Sequence, residues 1–259
     1  SRVGNVMSNF TDFISGGGSL PVNIALTKSQ TWVPPVDGTI CIHVVGAGGG
    51  GRATTSFAGY SGGGGGYCKK NSLAVTTSSS FTVVIGAGGD GNSGGYGDDG
   101  GNTTVSGTGL TSTLTANGGT RGDNSPAPGG TAANGDVNYT GQSGGFYGGG
   151  GVRVNGTLSA TVTQNKGGDC DSLGDPSLSG YGYLVGGSGG ESGENGGGGA
   201  NGGFLAGGGS ISDNSTTLVI SGGAGGVGGG GGFCDNSSSA YAKGGPGGNG
   251  IVIIQYLPA

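Results

Sequence analysis

Runs of consecutive glycines limit what this chain can fold into more than any other feature of its sequence. Glycine supplies 74 of the 259 residues. Because glycine loses the most backbone freedom on folding, such runs are poor material for helices or sheet interiors. A chain this rich in glycine and proline, without a fixed period, is usually of low complexity. Unbroken glycine runs occupy 48–51, 62–66, 148–151, 196–199 and 228–232.

The apolar residues argue against disorder, because they are grouped in short runs of β-type residues. Charged residues make up only 9% of the chain, whereas self-repelling disordered chains usually carry far more. Ser78–Ser80 separates two of the runs and marks a candidate hairpin. The predicted strands are Asn23–Thr27, Thr39–Val45, Leu73–Thr77, Phe81–Ile85, Thr103–Val105, Leu110–Ala116, Thr157–Thr163, Thr217–Ile220 and Ile251–Tyr256.

Several of these strands run directly into glycine, as at Val45 and Ile85. The conformation left to an ordered glycine run is a polyproline-II-type helix, which has three residues per turn and no internal hydrogen bonds. Its amides and carbonyls must find partners in neighbouring runs. Collagen is the competing interpretation, but strict Gly-X-Y is absent. The prediction is an all-β fold with polyglycine-II helices: a small β-sandwich whose strands continue into a bundle of glycine helices.

The first residues differ from the rest of the chain. Four apolar residues are spaced as on one side of a short α-helix, which ends at Gly16–Gly18. Because so short a helix is marginal alone, it must dock on its own domain or on copies of itself. The sequence thus divides into an N-terminal attachment or oligomerisation segment, 1–20, and a glycine-rich domain, 21–259. The four apolar residues are Val3, Met7, Phe10 and Ile14.

Side-chain chemistry is concentrated in polar segments between the glycine runs. These segments carry most of the aromatic residues, and polar loops with aromatics on a stiff scaffold are typical of recognition surfaces. The alternative is that the aromatics cover the ends of the bundle or contact a neighbouring chain. The candidate recognition residues are Phe57, Tyr60, Tyr139, Phe146, Tyr147, Tyr181, Tyr183, Phe204 and Tyr241.

Catalytic and cofactor signals are weak. His43 is the sole histidine and lies within a β-type run, so we expect it to be packed and predict no catalytic residues. Glycine patterns of the nucleotide-binding kind lack a surrounding βαβ unit. We predict no metal and no other cofactor. Four cysteines, none in a C-x-x-C pair, are expected to be unlinked thiols. The net charge of −5 argues against nucleic acid, and no apolar run is long enough to span a membrane.

The order of these motifs resembles the glycine-rich domain of bacteriophage tail fibre and tail tip proteins. Thr31–Gly38 and Ile42–Gly51 resemble its opening, and Gly62–Gly66, Phe81–Gly89 and Leu114–Gly119 follow in the family's order. The close, Gly244–Ile254, is also typical. The chain is similar to the polyglycine-II adhesins of T-even-type phages; where those carry a large N-terminal attachment domain, this sequence shows the short helix-like segment.

That resemblance implies a non-enzymatic adhesin at the tip of a tail fibre. The implied partners are a host outer-membrane protein or surface glycan and other tail proteins, and we expect a homotrimer. The location would be the virion, after assembly in the host cytoplasm. Three alternatives remain open at this point: a structural virion module without receptor binding, an ice-binding protein, and an enzyme such as a glycan depolymerase.

Overall fold

A computed structural model of the chain describes most of the predicted domain and shows an all-β protein. Among the described residues there is no helix, and therefore none long and apolar enough to cross a membrane. The described residues are 23–54, 60–93, 95–123, 125–145, 148–154, 193–194, 201–213, 220–236 and 242–257. Their strands are β1 (Asn23–Leu26), β2 (Gln30–Trp32), β3 (Gly38–Val45), β4 (Ala53–Thr54), β5 (Tyr67–Val75), β6 (Phe81–Val84), β7 (Thr103–Gly107), β8 (Leu114–Ala116), β9 (Ala132–Ala133), β10 (Val137–Tyr139), β11 (Gly193–Glu194), β12 (Ile211–Asp213), β13 (Ile220–Ser221), β14 (Cys234–Asn236), β15 (Ala242–Lys243) and β16 (Ile251–Tyr256).

Two five-stranded antiparallel sheets form the larger part of the strand content. One has the order β1-β16-β3-β5-β10 and the other β2-β6-β7-β8-β9. Buried and exposed side chains alternate along β6, where Phe81 and Val83 are buried while Thr82 and Val84 are exposed. The rings of Trp32 and Phe81 meet at 5.6 Å between centroids within the core that both sheets share. The predicted two-layer β unit is therefore present.

The predicted hairpin around Ser78–Ser80 is wrong. β5 pairs with β3 and β10, whereas β6 pairs with β2 and β7, so the chain crosses from one sheet to the other at this turn. The turn is closed by Ser79, whose N–H donates to the Thr76 carbonyl at 2.9 Å. Alternation along both strands is satisfied equally by a hairpin and by a crossing, because each places the same residues in the core.

Most other predicted strand boundaries agree with the structure to within two residues, but β5 begins at Tyr67, six residues before the predicted start. β3 and β16 match their predictions to within one residue, and β16 is paired with β3 along its whole length, from Ile251↔Val45 to Tyr256↔Ile40. The run predicted from Leu110 begins as a strand only at Leu114, because a turn follows Gly107. The predicted helix within 1–20 and the predicted strand Thr157–Thr163 lie outside the described residues.

Glycine-rich segments continue from the strand ends and run away from the two sheets. The chain leaves β3 into 46–51, returns through 61–66 into β5, and repeats this excursion from the other strands. Each segment is bonded sideways to other segments through main-chain groups, not within itself. Lateral pairing satisfies buried N–H and C=O groups that would otherwise each cost about 1–3 kcal/mol.

The hydrogen bonds of segment 46–51 repeat with a period of three. The amides of residues 46 and 49 donate to residues 66 and 63. Those of residues 47 and 50 donate to residues 101 and 98, and those of residues 48 and 51 to residues 248 and 245. Successive residues therefore face three different neighbours, each running antiparallel to the segment. On the acceptor side, Ala47 and Gly50 receive from Gly119 and Gly122, which belong to a parallel neighbour.

The described segments together form a laterally packed array with three inner members. Segments 46–51, 61–66 and 228–233 bond to one another and lie inside. The other segments form a ring around them, each bonded to the next, so that the ring closes. In order around the ring they are 117–123, 127–131, 141–145, 148–152, 206–209, 222–226, 244–250, 86–92 and 97–102. We call this arrangement the glycine array.

Steric contact explains why the array needs glycine. A Cβ on Gly49 would overlap the carbonyl oxygen of Thr120, and one on Gly230 would overlap that of Gly62. Larger residues occur in the ring where they face solvent, also at intervals of three, as at Pro246 and Asn249. Proline fits such a position because its missing N–H has no partner to lose.

Candidate binding surface

The glycine array has two different ends. At one end its segments join the two large sheets, and we call this the sandwich end. At the other end the segments are linked to one another by loops, and we call this the loop end. Main-chain hydrogen bonds connect residues of different segments at the loop end. Arg52 N–H donates to Tyr60 C=O, Tyr60 N–H to Asp123 C=O, and Ala53 N–H to Gly95 C=O. Loop residues from distant parts of the sequence are thus brought together.

Short parallel strands stiffen the loop end. β14 lies between β12 and β4, with Cys234 opposite both Ile211 and Ala53. These apolar side chains are buried with Ile220 and Ala242 in a small cluster. Beneath it, the hydroxyls of Ser61 and Ser210 are 2.9 Å apart, and Phe233 N–H donates to the Ser61 hydroxyl, also at 2.9 Å. The loops therefore project from a fixed base.

Tyr96 and two arginines form a cluster at the loop end. Tyr96 is 42% exposed. The guanidinium carbon of Arg52 lies 4.8 Å from the centroid of its ring, and that of Arg121 lies 5.7 Å away. Both distances are within the range of cation–π attraction. The main chain holds Arg121 in place, because its N–H donates to an oxygen of Asp99 at 2.8 Å.

Of the candidate residues predicted from the sequence, Tyr60 is the one among the described residues that lies at the loop end. It is half-buried, and its main chain joins the Arg52 and Asp123 segments. Sequence reasoning missed Tyr96, which is not among the candidate recognition residues. The available signal was its place in the outward register, since Tyr96, Asp99 and Asn102 recur at intervals of three in a glycine-rich segment.

Two other candidates lie at the sandwich end. Tyr139 is in β10, where its ring stacks on that of Tyr67 with centroids 6.3 Å apart and planes 8° apart. Phe204 packs against the neighbouring core of Val45, Val152 and Leu205, which also receives Tyr139. The structure does not bring either residue near Tyr60 or Tyr96.

The remaining candidates lie outside the described residues. Gly145 and Ala242, which are described and adjoin three of them in the sequence, lie at the loop end. The chain leaves the described part at Val154, at the sandwich end, and Gly193–Glu194 pairs with β12 at the loop end. The candidates outside the described residues are Phe57, Phe146, Tyr147, Tyr181, Tyr183 and Tyr241, together with Val3, Met7, Phe10 and Ile14 of the N-terminal segment.

His43 and Cys68 are two titratable side chains buried in the sheet that contains β3 and β5. His43 is fully buried in β3, with Nδ1 2.8 Å from the Tyr67 hydroxyl and Nε2 3.3 Å from Cys41 Sγ. Burial, with a smaller contribution from the Lys69 charge, lowers the pKa of His43 to about 3. The expectation of a packed histidine is confirmed. Burial also raises the pKa of Cys68 to about 12, so this thiol is unreactive.

Other expectations from the sequence receive partial tests. The described cysteines, Cys41, Cys68 and Cys234, are free and buried, as expected, while Cys170 lies outside the described residues. Within the described ranges, no group of three or more potential metal ligands is found.

Lys70 and Asp136 form an ion pair on the sheet, with Nζ and Oδ1 2.8 Å apart. The hydrogen bond that Lys70 donates lowers the pKa of Asp136.

Comparison with known proteins identifies one relationship. A family model described as a glycine-rich domain matches residues 25–257, which is nearly the whole chain. The match spans both large sheets and every described segment of the glycine array. A search of the curated proteins found no match to the chain.

Proposed function

The chain belongs to the glycine-rich domain family, and on this premise we propose that it is the receptor-binding tip of a bacteriophage tail fibre. In this role it is a non-enzymatic adhesin of the virion, assembled in the host cytoplasm. It attaches the particle to an outer-membrane protein or glycan of the host. The resemblance of the opening and closing motifs to tail fibre proteins supports the location.

The observation that carries the proposal is the division of the molecule into two ends. The sandwich end contains the large core, whereas the loop end collects Arg52, Tyr60, Tyr96 and Arg121 on a stiff base. Such a layout holds recognition loops away from the folded body and limits the entropy lost when they bind. A merely structural module has no need of an aromatic and cationic surface at one end.

We propose further that the segments of the glycine array are polyglycine-II helices. The period of three in the hydrogen bonds of 46–51 matches the three residues per turn of this conformation. Six neighbours around 46–51 and around 61–66 match the hexagonal packing that bare main chains allow when no Cβ separates them. The array would then be a rigid rod between the two ends.

Attachment to the fibre is assigned to the N-terminal segment, 1–20. Its apolar residues Val3, Met7, Phe10 and Ile14 have the spacing of a helical seam. We propose that this segment associates with other tail proteins and brings three copies together as a homotrimer.

The test compares binding of the purified chain and two double variants to intact cells of a panel of Gram-negative bacteria. Tyr60→Ser with Tyr96→Ser changes the loop end. Val33→Ser with Val84→Ser is the control, since these side chains on the sandwich are 50% and 44% exposed. We expect the chain to label at least one strain, with at least a tenfold loss in the loop-end variant and less than a twofold loss in the control. Equal loss in both variants, or no labelling of any strain, contradicts the proposal.

A further inference from the structure

Arg52, Tyr96 and Arg121 come from three segments that are mutual neighbours in the glycine array. Segment 46–51 donates to 97–102, and segment 117–123 donates back to 46–51 while accepting from Gly100. The three side chains meet where these segments end, at the loop end. Since each guanidinium carbon lies within 5.7 Å of the same ring centroid, the two charges are within about 11 Å of each other.

We propose that this cluster is a binding site for an anionic saccharide, meaning a sugar that carries a carboxylate or a phosphate group. Both guanidinium groups lie at the same exposed ring, so an anion bound beside Tyr96 would be attracted by two positive charges. Guanidinium groups bind carboxylate and phosphate oxygens through paired N–H donors in a fixed geometry. The exposed Tyr96 ring adds an amphipathic face and a hydroxyl beside the charges.

Nearby carboxylates limit the ligand to a small one. Asp98 and Asp99 follow Tyr96 directly, and both are exposed. Asp99 is held against the Arg121 main chain at 2.8 Å, so its carboxylate lies beside the cluster. Extended polyanions such as nucleic acid would meet these charges, and the chain as a whole carries −5. A ligand with a single anionic group meets less of this repulsion than an extended polyanion does.

The site deepens the proposed adhesin function, on which it rests, by naming the receptor class as an acidic glycan. It can be tested apart from that function, because the probes are soluble sugars and need no host. Calorimetric titration of the full chain would use tetragalacturonate, its neutral counterpart tetragalactose, glucose 6-phosphate, glucose and inorganic phosphate. Arg121→Gln is the test variant. Lys28→Gln is the matched control, since it removes the same charge from an exposed position at the sandwich end.

We expect tetragalacturonate or glucose 6-phosphate to bind, and the neutral sugars to bind at least tenfold more weakly. Arg121→Gln should weaken binding of the acidic sugar at least tenfold, whereas Lys28→Gln should change it less than twofold. Raising the salt concentration should weaken it as well, because charges at the surface are screened. The preferred acidic sugar distinguishes a carboxylate from a phosphate ligand.

Four results would overturn the inference. They are no binding of any acidic sugar, equal binding of neutral and acidic sugars, inorganic phosphate binding as well as the sugar phosphate, and Arg121→Gln binding like the parent chain. If no acidic sugar binds while cells are still labelled, the receptor is a surface protein; the saccharide site is then wrong and the adhesin function stands. If acidic sugars bind and no cell is labelled, the site stands and the adhesin function fails.

Discussion

At the scale of single residues, the glycines of the array are fixed by what surrounds their α-carbons. Gly49 has no room for a Cβ because the Thr120 carbonyl occupies the position, and that carbonyl also accepts the Gly63 amide. Moving it would break a bond to a second inner segment. A Cβ added at Gly49 would therefore disturb three segments, whereas a Cβ on the surface of an α-helix points into solvent.

Gly49→Ala should lower the free energy of unfolding by about 3 kcal/mol or more, because overpacking against main chain cannot be relieved by rotating a side chain. The matched control is Gly95→Ala at the loop end, where the nearest atom to a Cβ would be Asn92 Nδ2 at 3.6 Å. The control should change stability by less than about 1 kcal/mol. Urea unfolding of both variants measures the difference, and equal stabilities would show that the inner positions are not sterically closed.

His43 should make stability depend on pH. Its pKa is about 6.5 when unfolded and about 3 when folded, so the folded state resists protonation. The stability that depends on neutral His43 is complete above pH 6.5 and is lost as the pH falls from 6.5 towards 3. The expected slope approaches about 1.4 kcal/mol per pH unit. Asp136, whose pKa is lowered, acts in the same direction but at lower pH than the onset of this loss.

Urea unfolding at intervals between pH 7 and pH 4 measures this slope. His43→Gln should remove most of it. Asp235 works in the opposite direction, because burial raises its pKa and protonation then favours the folded state. His43→Gln combined with Asp235→Asn should therefore give the flattest profile. A slope that is the same in the parent chain and in His43→Gln would contradict the buried, neutral state of His43.

At the scale of elements, the sequence predicted the sheets better than their connections. β3 and β16 were predictable because their β-branched residues are continuous, and β6 because its residues alternate. The crossing between β5 and β6 was not predictable, since the alternation of apolar and polar residues along a strand does not indicate which sheet the strand joins. The lateral bonding of glycine segments followed from the need to satisfy main-chain groups, but the choice of neighbours depends on the whole array.

The candidate surface was predictable only in part, for a related reason. Tyr60 was identified because it lies between glycine runs, while Tyr139 met the same criterion and lies in a strand against Tyr67. Distance from a glycine run along the sequence does not say at which end of the array a residue lies. Arg52, Tyr96 and Arg121 are 44 and 25 residues apart in sequence order, and only the register of three segments brings them together.

Hydrogen exchange should reveal the array as an element, although its described segments contain no α-helix or β-strand. The amides of 46–51 are all bonded to inner or ring segments and should exchange slowly, close to the rate of global unfolding. The amides of Asp90 and Asn249 lie on the outer side of the ring, where the described part of the chain offers no acceptor, and should exchange rapidly. Exchange measured residue by residue by NMR tests this pattern. Uniformly rapid exchange across 46–51 would mean that the segments are solvated coil.

At the scale of the whole molecule, the two ends differ in the groups that they present, and the proposed function assigns them different roles. The two sheets of the sandwich enclose an apolar core, and main-chain hydrogen bonds hold the segments of the array together. The loop end presents aromatic and cationic groups. A single loop end offers a small surface, so one copy should bind weakly. Useful attachment of a large particle then requires several copies acting together, which increases the effective affinity without new contacts.

That requirement leads to a prediction about the N-terminal segment, which lies outside the described residues. If Val3, Met7, Phe10 and Ile14 form the seam of a trimer, Met7→Asp with Phe10→Asp should convert the chain to a monomer in sedimentation equilibrium. Placing charge in an apolar seam leaves it without a partner, and this opposes association. Binding to a receptor-bearing cell should fall about 100-fold or more through loss of avidity. Titration with a soluble ligand should be unchanged, because the loop end of each copy is intact.

Ser8→Asp with Ser15→Asp is the control, since it adds the same charge at positions outside the seam. A double variant of the seam that keeps the parent mass would assign these four residues to packing against their own domain, and the copies would have to be joined elsewhere.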